Sequence, residues 1–536
     1  MPGGGYLSGV VRSGVIALVT LLAGASAALA VLLSPWWWAL AVPCAAVAAV
    51  GVHDLLQRRH SVLRNYPVIG HLRFLLEVVR PELQQYFVER NFDGRPFDRD
   101  VRSIVYERAK GTDAEEPFGT ERDVYADGHE YLVPSMAPRQ VPEEAPTVRI
   151  GGPDCTAPYD MALLNVSAMS FGSLSANAIL ALNRGAALGG FAHDTGEGGL
   201  SEYHLRHGGD LVWEIGTGYF GCRTRDGGFD REQFADKAAH DQVKCVSLKL
   251  SQGAKPGIGG VLPGDKVNAE IARVRGVPQG ETVISPPYHR VFGTPRELVR
   301  FVAEMRQMSG GKPTGFKLCV GSRRQFLSVC KAMLAEGVTP DFIIVDGAEG
   351  GTGAAPLEFA DHLGSPLTEG LMTVHNALVG TGLRDRIRIG ASGKVATGAD
   401  LVKRMVQGAD YTNAARAMMF AVGCIQAQRC HTNTCPTGVT TQDPRRARAL
   451  DVGDKSVRVQ RFQEATVGSA LQIMASMGVS DPAHLRPHML RRRVDPVTTR
   501  SYEELYDWLA PGQLSADPPQ EWAADWTAAD PDRFTV

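Results

Sequence analysis

Neither sign of charge is in excess in this sequence: 56 Lys and Arg face 58 Asp and Glu, leaving a formal net charge of −2 over 536 residues. No global basic field exists, so a nucleic-acid-binding role has no electrostatic support. Cysteine is also scarce. Nine thiols in a chain this long are too few and too unevenly spaced for a disulfide scaffold, and a reducing compartment fits better. No predicted strand is followed by a convincing G-x-G-x-x-G turn with a downstream acid, which argues against a dedicated nicotinamide dinucleotide domain. Glycine, by contrast, is abundant at 59 residues and clusters without a short period. That excludes collagen-like and linker repeats and points to loops where backbone approaches a ligand closely. A 44% hydrophobic, 21% charged composition can bury a large core.

Charge is missing altogether between Val15 and Leu33. A helix over that run would be about 28 Å long, close to the hydrocarbon thickness of a bilayer. Ser34-Pro35 interrupts it, Trp36, Trp37 and Trp38 suit the headgroup level, and a second apolar run extends to Val52. Arg12 precedes the first run, Arg58, Arg59 and Arg64 follow the second, and no Lys or Arg lies between them. Residues 1–60 are therefore expected to be a transmembrane helical hairpin with both ends in the cytoplasm, holding the rest of the chain on the cytoplasmic side of the cell membrane. The alternatives are a signal peptide cleaved near Ala28-Leu29-Ala30 and a buried soluble hairpin. Residues 61–150 read as a linker and packing region, with helical spacing over 72–79 and a further helix opening at Pro81 and running over 82–89.

From 151 to 485 short β-rich runs alternate with helical stretches. Strands are expected near 162–166, 190–193, 211–214, 245–249, 315–319, 342–346, 387–390 and 409–412, and helices over 295–307 and 399–407. Eight strand–helix units predict an α/β fold, a parallel (β/α)8 TIM barrel, with an open doubly wound sheet as the alternative. Residues 486–536 read as a C-terminal tail. The unusual residues fall just after strands: Ser170-Phe171-Gly172-Ser173, the Thr195 to Gly199 loop, Gln252 to Gly257, Asp346 to Gly353, and Ala391-Ser392-Gly393-Lys394. In a barrel those loops share the C-terminal face, where one ligand could touch them all. Gly350, Gly351 and Gly393 offer unhindered N–H groups for a phosphate-bearing cofactor.

Cys424, Cys430 and Cys435 fall within twelve residues, in segment 424–436. Thiolates suit an iron–sulfur cluster or zinc. The trio fits a cluster with three protein ligands, zinc with His431 as fourth ligand, or three unrelated buried thiols.

The C-x5-C-x4-C-P segment, the Lys249 to Gly257 run, the Asp346 to Ala354 loop, Ile284-Ser285-Pro286-Pro287 and the Thr195 to Gly199 loop together resemble the FMN-binding synthase domain of glutamate synthase, in its stand-alone form. The resemblance implies FMN on the barrel face and a 3Fe-4S cluster on Cys424, Cys430 and Cys435. It also implies electrons from a donor such as ferredoxin or a reductase subunit. Hydride would then pass from reduced FMN to 2-iminoglutarate, formed from 2-oxoglutarate and ammonia, to give L-glutamate. By the same resemblance Glu197, Lys249 and Lys255 are catalytic, Gln252 and Arg275 bind substrate, and Ser170, Lys317, Gly350, Gly351, Gly393 and Arg416 hold the cofactor. Alternatives are the same cofactors acting on another oxo, imino or amino acid, or an electron-transfer subunit without turnover. The sequence departs from the family at Ile258, where an acid is usual, and at Asn413-Ala414-Ala415-Arg416, where the family has a glycine-rich turn. Full synthases begin with a cysteine-initiated glutaminase domain and this sequence begins Met1-Pro2, so ammonia is expected to arrive free, to come from a partner, or to be irrelevant.

Overall fold

The computed structural model describes residues 4–112, 115 and 118–534. The chain divides into two compact units, Met1–Gly94 and Arg95–Val536. The boundary thus falls inside the stretch 61–150.

In the first unit, helices Gly4–Leu32 and Trp38–Leu56 are joined by a single turn of 3-10 helix at Pro35–Trp37. Gly14–Leu32 and Pro35–Leu56 are long and apolar enough to cross a membrane, with mean hydropathies of 2.5 and 1.8. Large apolar side chains cover their outer surface, including Leu21, Leu32 and Trp36. Helix Gly70–Leu83 follows. Pro81 does not open a new helix; it lies inside this one. Its ring supplies no N–H and crowds the carbonyl four residues back, and the chain beyond Leu83 continues as a wider π turn, Gln84–Val88, closed by Glu89 N–H donating to the Gln84 carbonyl at 2.8 Å.

The second unit is built on a closed, all-parallel barrel of eight strands: β1 (Leu164–Val166), β2 (His193–Asp194), β3 (Leu211–Ile215), β4 (Val243–Lys249), β5 (Thr314–Leu318), β6 (Phe342–Asp346), β7 (Arg388–Ser392) and β8 (Tyr411–Ala414). Each expected strand is present, displaced by a few residues at most. Closure comes from β8 on β1, in the register Thr412↔Leu164, Asn413↔Asn165 and Ala414↔Val166. The strands are buried on both faces, as a parallel sheet wrapped in helices requires.

Local signals set the helix ends. Thr294 and Glu297 form a capping box with Pro295 in the first turn of Pro295–Met308, and Thr397 with Asp400 caps Gly398–Val406. At the N-terminal end of the barrel the buried pair Arg306–Asp341 (2.9 Å) gathers loops, Asp341 also accepting from the Gly152 and Thr314 N–H groups. The segment after 485 is packed onto the barrel unit. Leu490–Arg493 pairs antiparallel with Glu130–Leu132 and with Thr499–Ser501, and Leu509, Leu514 and Trp522 join the core that contains Ile389.

Candidate functional site

Every barrel strand ends at the same face, and the residues that end β4 carry the most charge. Lys249 closes β4 and is almost fully buried. Its ammonium lies 2.9 Å from Glu197 Oε1, in the loop after β2, and donates to Gln252 Oε1 at 2.5 Å. Burial works against the Glu197 carboxylate, but Lys249, Arg275 and Lys255 outweigh it and hold its pKa below the usual range, so the group is anionic at neutral pH. Lys255 is buried three residues beyond Gln252. Burial pushes its ammonium down to about 8, against the pull of Glu197 and with the repulsion of Lys249. Arg275 reaches in from the last turn of helix Ala269–Arg275, donating to the Phe171 carbonyl (2.9 Å) and Ser170 Oγ (3.3 Å) and lying 5.0 Å from the centre of the Phe220 ring. Its Nε is buried with no hydrogen-bond partner, as is Ser285 Oγ of the Ile284-Ser285-Pro286-Pro287 run. Glu197, Lys249, Gln252, Lys255, Arg275 and Ser170 thus form one constellation, with donors still unsatisfied.

Beneath it lies a second charged group, two of whose members the sequence reading missed. Lys317, buried near the end of β5, is ion-paired to Glu214 of β3, and Asp194 of β2 completes the set. Burial would lower the Lys317 pKa, but Glu214, Asp194 and Asp346 hold it above the ordinary lysine value. Asp194 moves the other way from an ordinary carboxylate: burial and the Glu214 charge raise it well above its usual range despite Lys317. One cation therefore faces two carboxyls, and burial together with the neighbouring acid favours the protonated form of Asp194. An acid inside the otherwise apolar run Leu211-Val212-Trp213-Glu214 was the available signal.

The glycine-rich loops meet backbone to backbone. A Cβ on Gly253, after β4, would sit 1.8 Å from the Gly347 carbonyl oxygen after β6, so only glycine fits. The Gly253 N–H donates to Asp346 Oδ2 at 2.7 Å. Gly350 N–H turns back onto the Gly347 carbonyl. Among the described residues, the N–H groups of Gly351, Thr352, Gly393 and Lys394 meet no carbonyl partner. A Cβ on Gly351 would come within 3.0 Å of the Arg416 side chain. Arg416, which opens the helix Arg416–Ala421 after β8, donates to the Glu349 carbonyl at 2.6 Å and lies 4.8 Å from the Phe97 ring centre. Free N–H groups, glycine backbone and a half-buried guanidinium beside it fit a phosphate-bearing group.

The three cysteines occupy one loop, Cys424 and Cys430 half-buried and Cys435 buried, all as free thiols. Gln426, Gln428 and Asn433 hold positive φ there, so the backbone curls sharply around them. Burial raises Cys435, but the Thr437 hydroxyl and the backbone N–H groups of Thr440 and Thr437 draw the thiol down to about 7; burial and the neighbouring Cys430 and Cys435 push Cys424 up to about 12. The segment is tied to the barrel mouth: a Cβ on Gly353 would be 3.6 Å from Cys430 Cβ, and buried Lys266 donates to the Thr440 carbonyl at 2.8 Å. Among the described residues no three His, Cys, Asp or Glu side chains are grouped to hold a metal ion, and His431 is exposed. His431 thus stands apart from the half-buried and buried thiols, and three thiols are the donor type that an iron–sulfur cluster takes.

Residues 156–480 match the family described as the conserved region in glutamate synthase. The chain is 38% identical over 498 residues to the glutamate synthase large subunit-like protein YerD of Bacillus subtilis, covering 85% of this chain and 94% of that protein. It is 32% identical over 330 residues to the archaeal glutamate synthase [NADPH] of Methanocaldococcus jannaschii, covering 61% of each. Among solved structures, a mandelate oxidase bound to (S)-2-phenylpropionate superposes with a TM-score of 0.42 at 15% identity, covering 75% of this chain and 98% of that one. With a match spanning the whole barrel and its cysteine loop, the chain belongs to the glutamate synthase family of oxidoreductases.

Proposed function

We propose that this protein is a membrane-anchored FMN and 3Fe-4S enzyme that reduces 2-iminoglutarate, from 2-oxoglutarate and ammonia, to L-glutamate. The observation that carries the reading is the convergence of Lys249, Lys255 and Arg275 with Glu197 and Gln252 on the C-terminal face. A dicarboxylate needs fixed cations around it, and three buried ones surrounding a single acid supply them. Cys424, Cys430 and Cys435 would hold the cluster, which would supply single-electron transfer, and the bound flavin would supply hydride chemistry.

This chain's residues do the remainder. Arg275 and Lys249 orient the carboxylates, and the unpaired Arg275 Nε has a donor to spare. Gln252 adds a neutral contact beside the Lys249 ammonium. Lys255, with a pKa near working pH, is suited to give a proton to the substrate nitrogen. Glu197, held ionised, attracts the ammonium that the product becomes. Lys317, kept protonated by its carboxylates, would stabilise negative charge on a reduced flavin ring. Ser170, Gly351, Gly393 and Arg416 would hold the cofactor, with Gly350, its N–H turned onto the Gly347 carbonyl, shaping the loop. The hairpin of residues 1–60 would anchor the chain in a bilayer with the barrel on the cytoplasmic side. A ferredoxin or a reductase subunit would supply electrons.

The departures at Ile258 and at 413–416 favour one second reading, the same cofactors acting on a different oxo or imino acid. Stopped-flow reoxidation of the reduced protein by a panel of 2-oxo acids, each with and without ammonium, separates the two. Reoxidation by 2-oxoglutarate only with ammonium is expected. Reoxidation by another acid alone would select the second reading, and none by any acid would leave an electron-transfer subunit.

A further inference from the structure

The segment after the hairpin takes no part in the chemistry above, yet it is built with care. Helix Gly70–Leu83 carries Leu72, Leu75, Leu76, Val79 and Leu83 at spacings of three and four, which places them on one face. All five are exposed, at 36–57%. The π turn adds Tyr86, Phe87 and Val88, at 56%, 83% and 63%. Water is a poor solvent for so continuous an apolar surface.

An elbow fixes where this surface lies. Asp54, in the last turn of helix Trp38–Leu56, is fully buried. It accepts from the Val68 N–H at 2.9 Å and faces His71 Nε2 at 2.9 Å, so the first turn of the amphipathic helix is clamped to the end of the second apolar helix. Val68 holds φ +66 to make the corner, a costly conformation for a β-branched residue. Between residues 57 and 80 five arginines stand against one acid. Arg73 and Arg80 lie on the helix flank away from the leucines, where anionic headgroups would meet them.

We infer that Gly70–Leu83 and the turn after it lie in the headgroup layer of an anionic membrane, leucine face inward, as an interfacial foot of the hairpin. The inference rests on the proposal that the hairpin spans a bilayer. Continuity with the hairpin's apolar surface and the arginine excess favour lipid over a protein partner.

The full chain reconstituted in vesicles of phosphatidylcholine and phosphatidylglycerol tests it, with a photoreactive benzoylphenylalanine placed singly at Leu22, Leu72, Leu76 or Glu77. Lipid adducts at Leu72 and Leu76 are expected at yields comparable to Leu22 and several-fold above Glu77. Adducts at Leu22 with none above the Glu77 level at Leu72 and Leu76, or protein adducts there instead, would overturn the inference while leaving the anchor standing. Absence of lipid adducts at Leu22 as well would remove both.

Discussion

The two units of this chain invert the usual arrangement in opposite ways. In Met1–Gly94 large apolar side chains face outward, whereas in Arg95–Val536 lysines, arginines and carboxyls face inward. Each inversion is tolerable for a different reason. Exposed leucine costs little if the surrounding medium is hydrocarbon. A buried ammonium persists only where a carboxylate or a substrate anion compensates it, as Glu197 does for Lys249 and Glu214 for Lys317. The lesson is that burial has to be judged against the solvent each unit meets.

The sharpest way to break the comparison is to cut it. Removing residues 1–94 should move the protein wholly from the membrane fraction to the soluble one while flavin absorbance is retained; loss of folded protein would mean that the first unit is core. Next in size, Cys430→Ser should abolish iron content with flavin largely kept, read by metal analysis after anaerobic purification. Zinc-loaded, iron-free wild type would reject the cluster. Lys249→Ala removes a charged contact of about 1.5–3 kcal/mol, so kcat/KM for 2-oxoglutarate should fall roughly 10- to 150-fold, and an unchanged value would take Lys249 out of the substrate site. Gly253→Ala drives a methyl into the Gly347 carbonyl and should cost about 1–3 kcal/mol of stability in a denaturant titration. Tolerance of it would mean the two loops can separate.

The smallest effect is with pH. Because burial lowers the Lys255 pKa to about 8, the charged form is lost above that value, and kcat/KM should drop by up to about tenfold per unit on the alkaline side. A flat profile to pH 9.5 would exclude Lys255 as proton donor. The sign for stability is opposite. Between pH 8 and 10.5 the unfolded chain keeps a proton that the folded one has released, so this group's contribution to stability rises with pH.

Much of this was legible in order along the chain. The eight barrel strands announced themselves as apolar runs ending in polar or glycine-rich turns, since a strand covered on both faces needs apolar residues throughout. Cys424, Cys430 and Cys435 stood out by spacing alone. Pro81 misled because proline is common at helix starts, yet a proline near a helix end costs only one bond of the last turns and can lie inside the helix. Glu214 left one local signal, an acid in an apolar run, but nothing in the sequence marks it and Asp194 as neighbours of a lysine on a third strand.

The amino-acid sequence by itself determined which segments are apolar, where helices are capped and which loops carry glycine and thiols, because those properties depend on residues a few positions apart. Only the tertiary structure decided that Lys249 meets Glu197, that Lys317 pairs with Glu214, and that Asp54 clamps His71. Those meetings depend on barrel closure and on a helix corner, which bring side chains distant in sequence to within hydrogen-bonding reach.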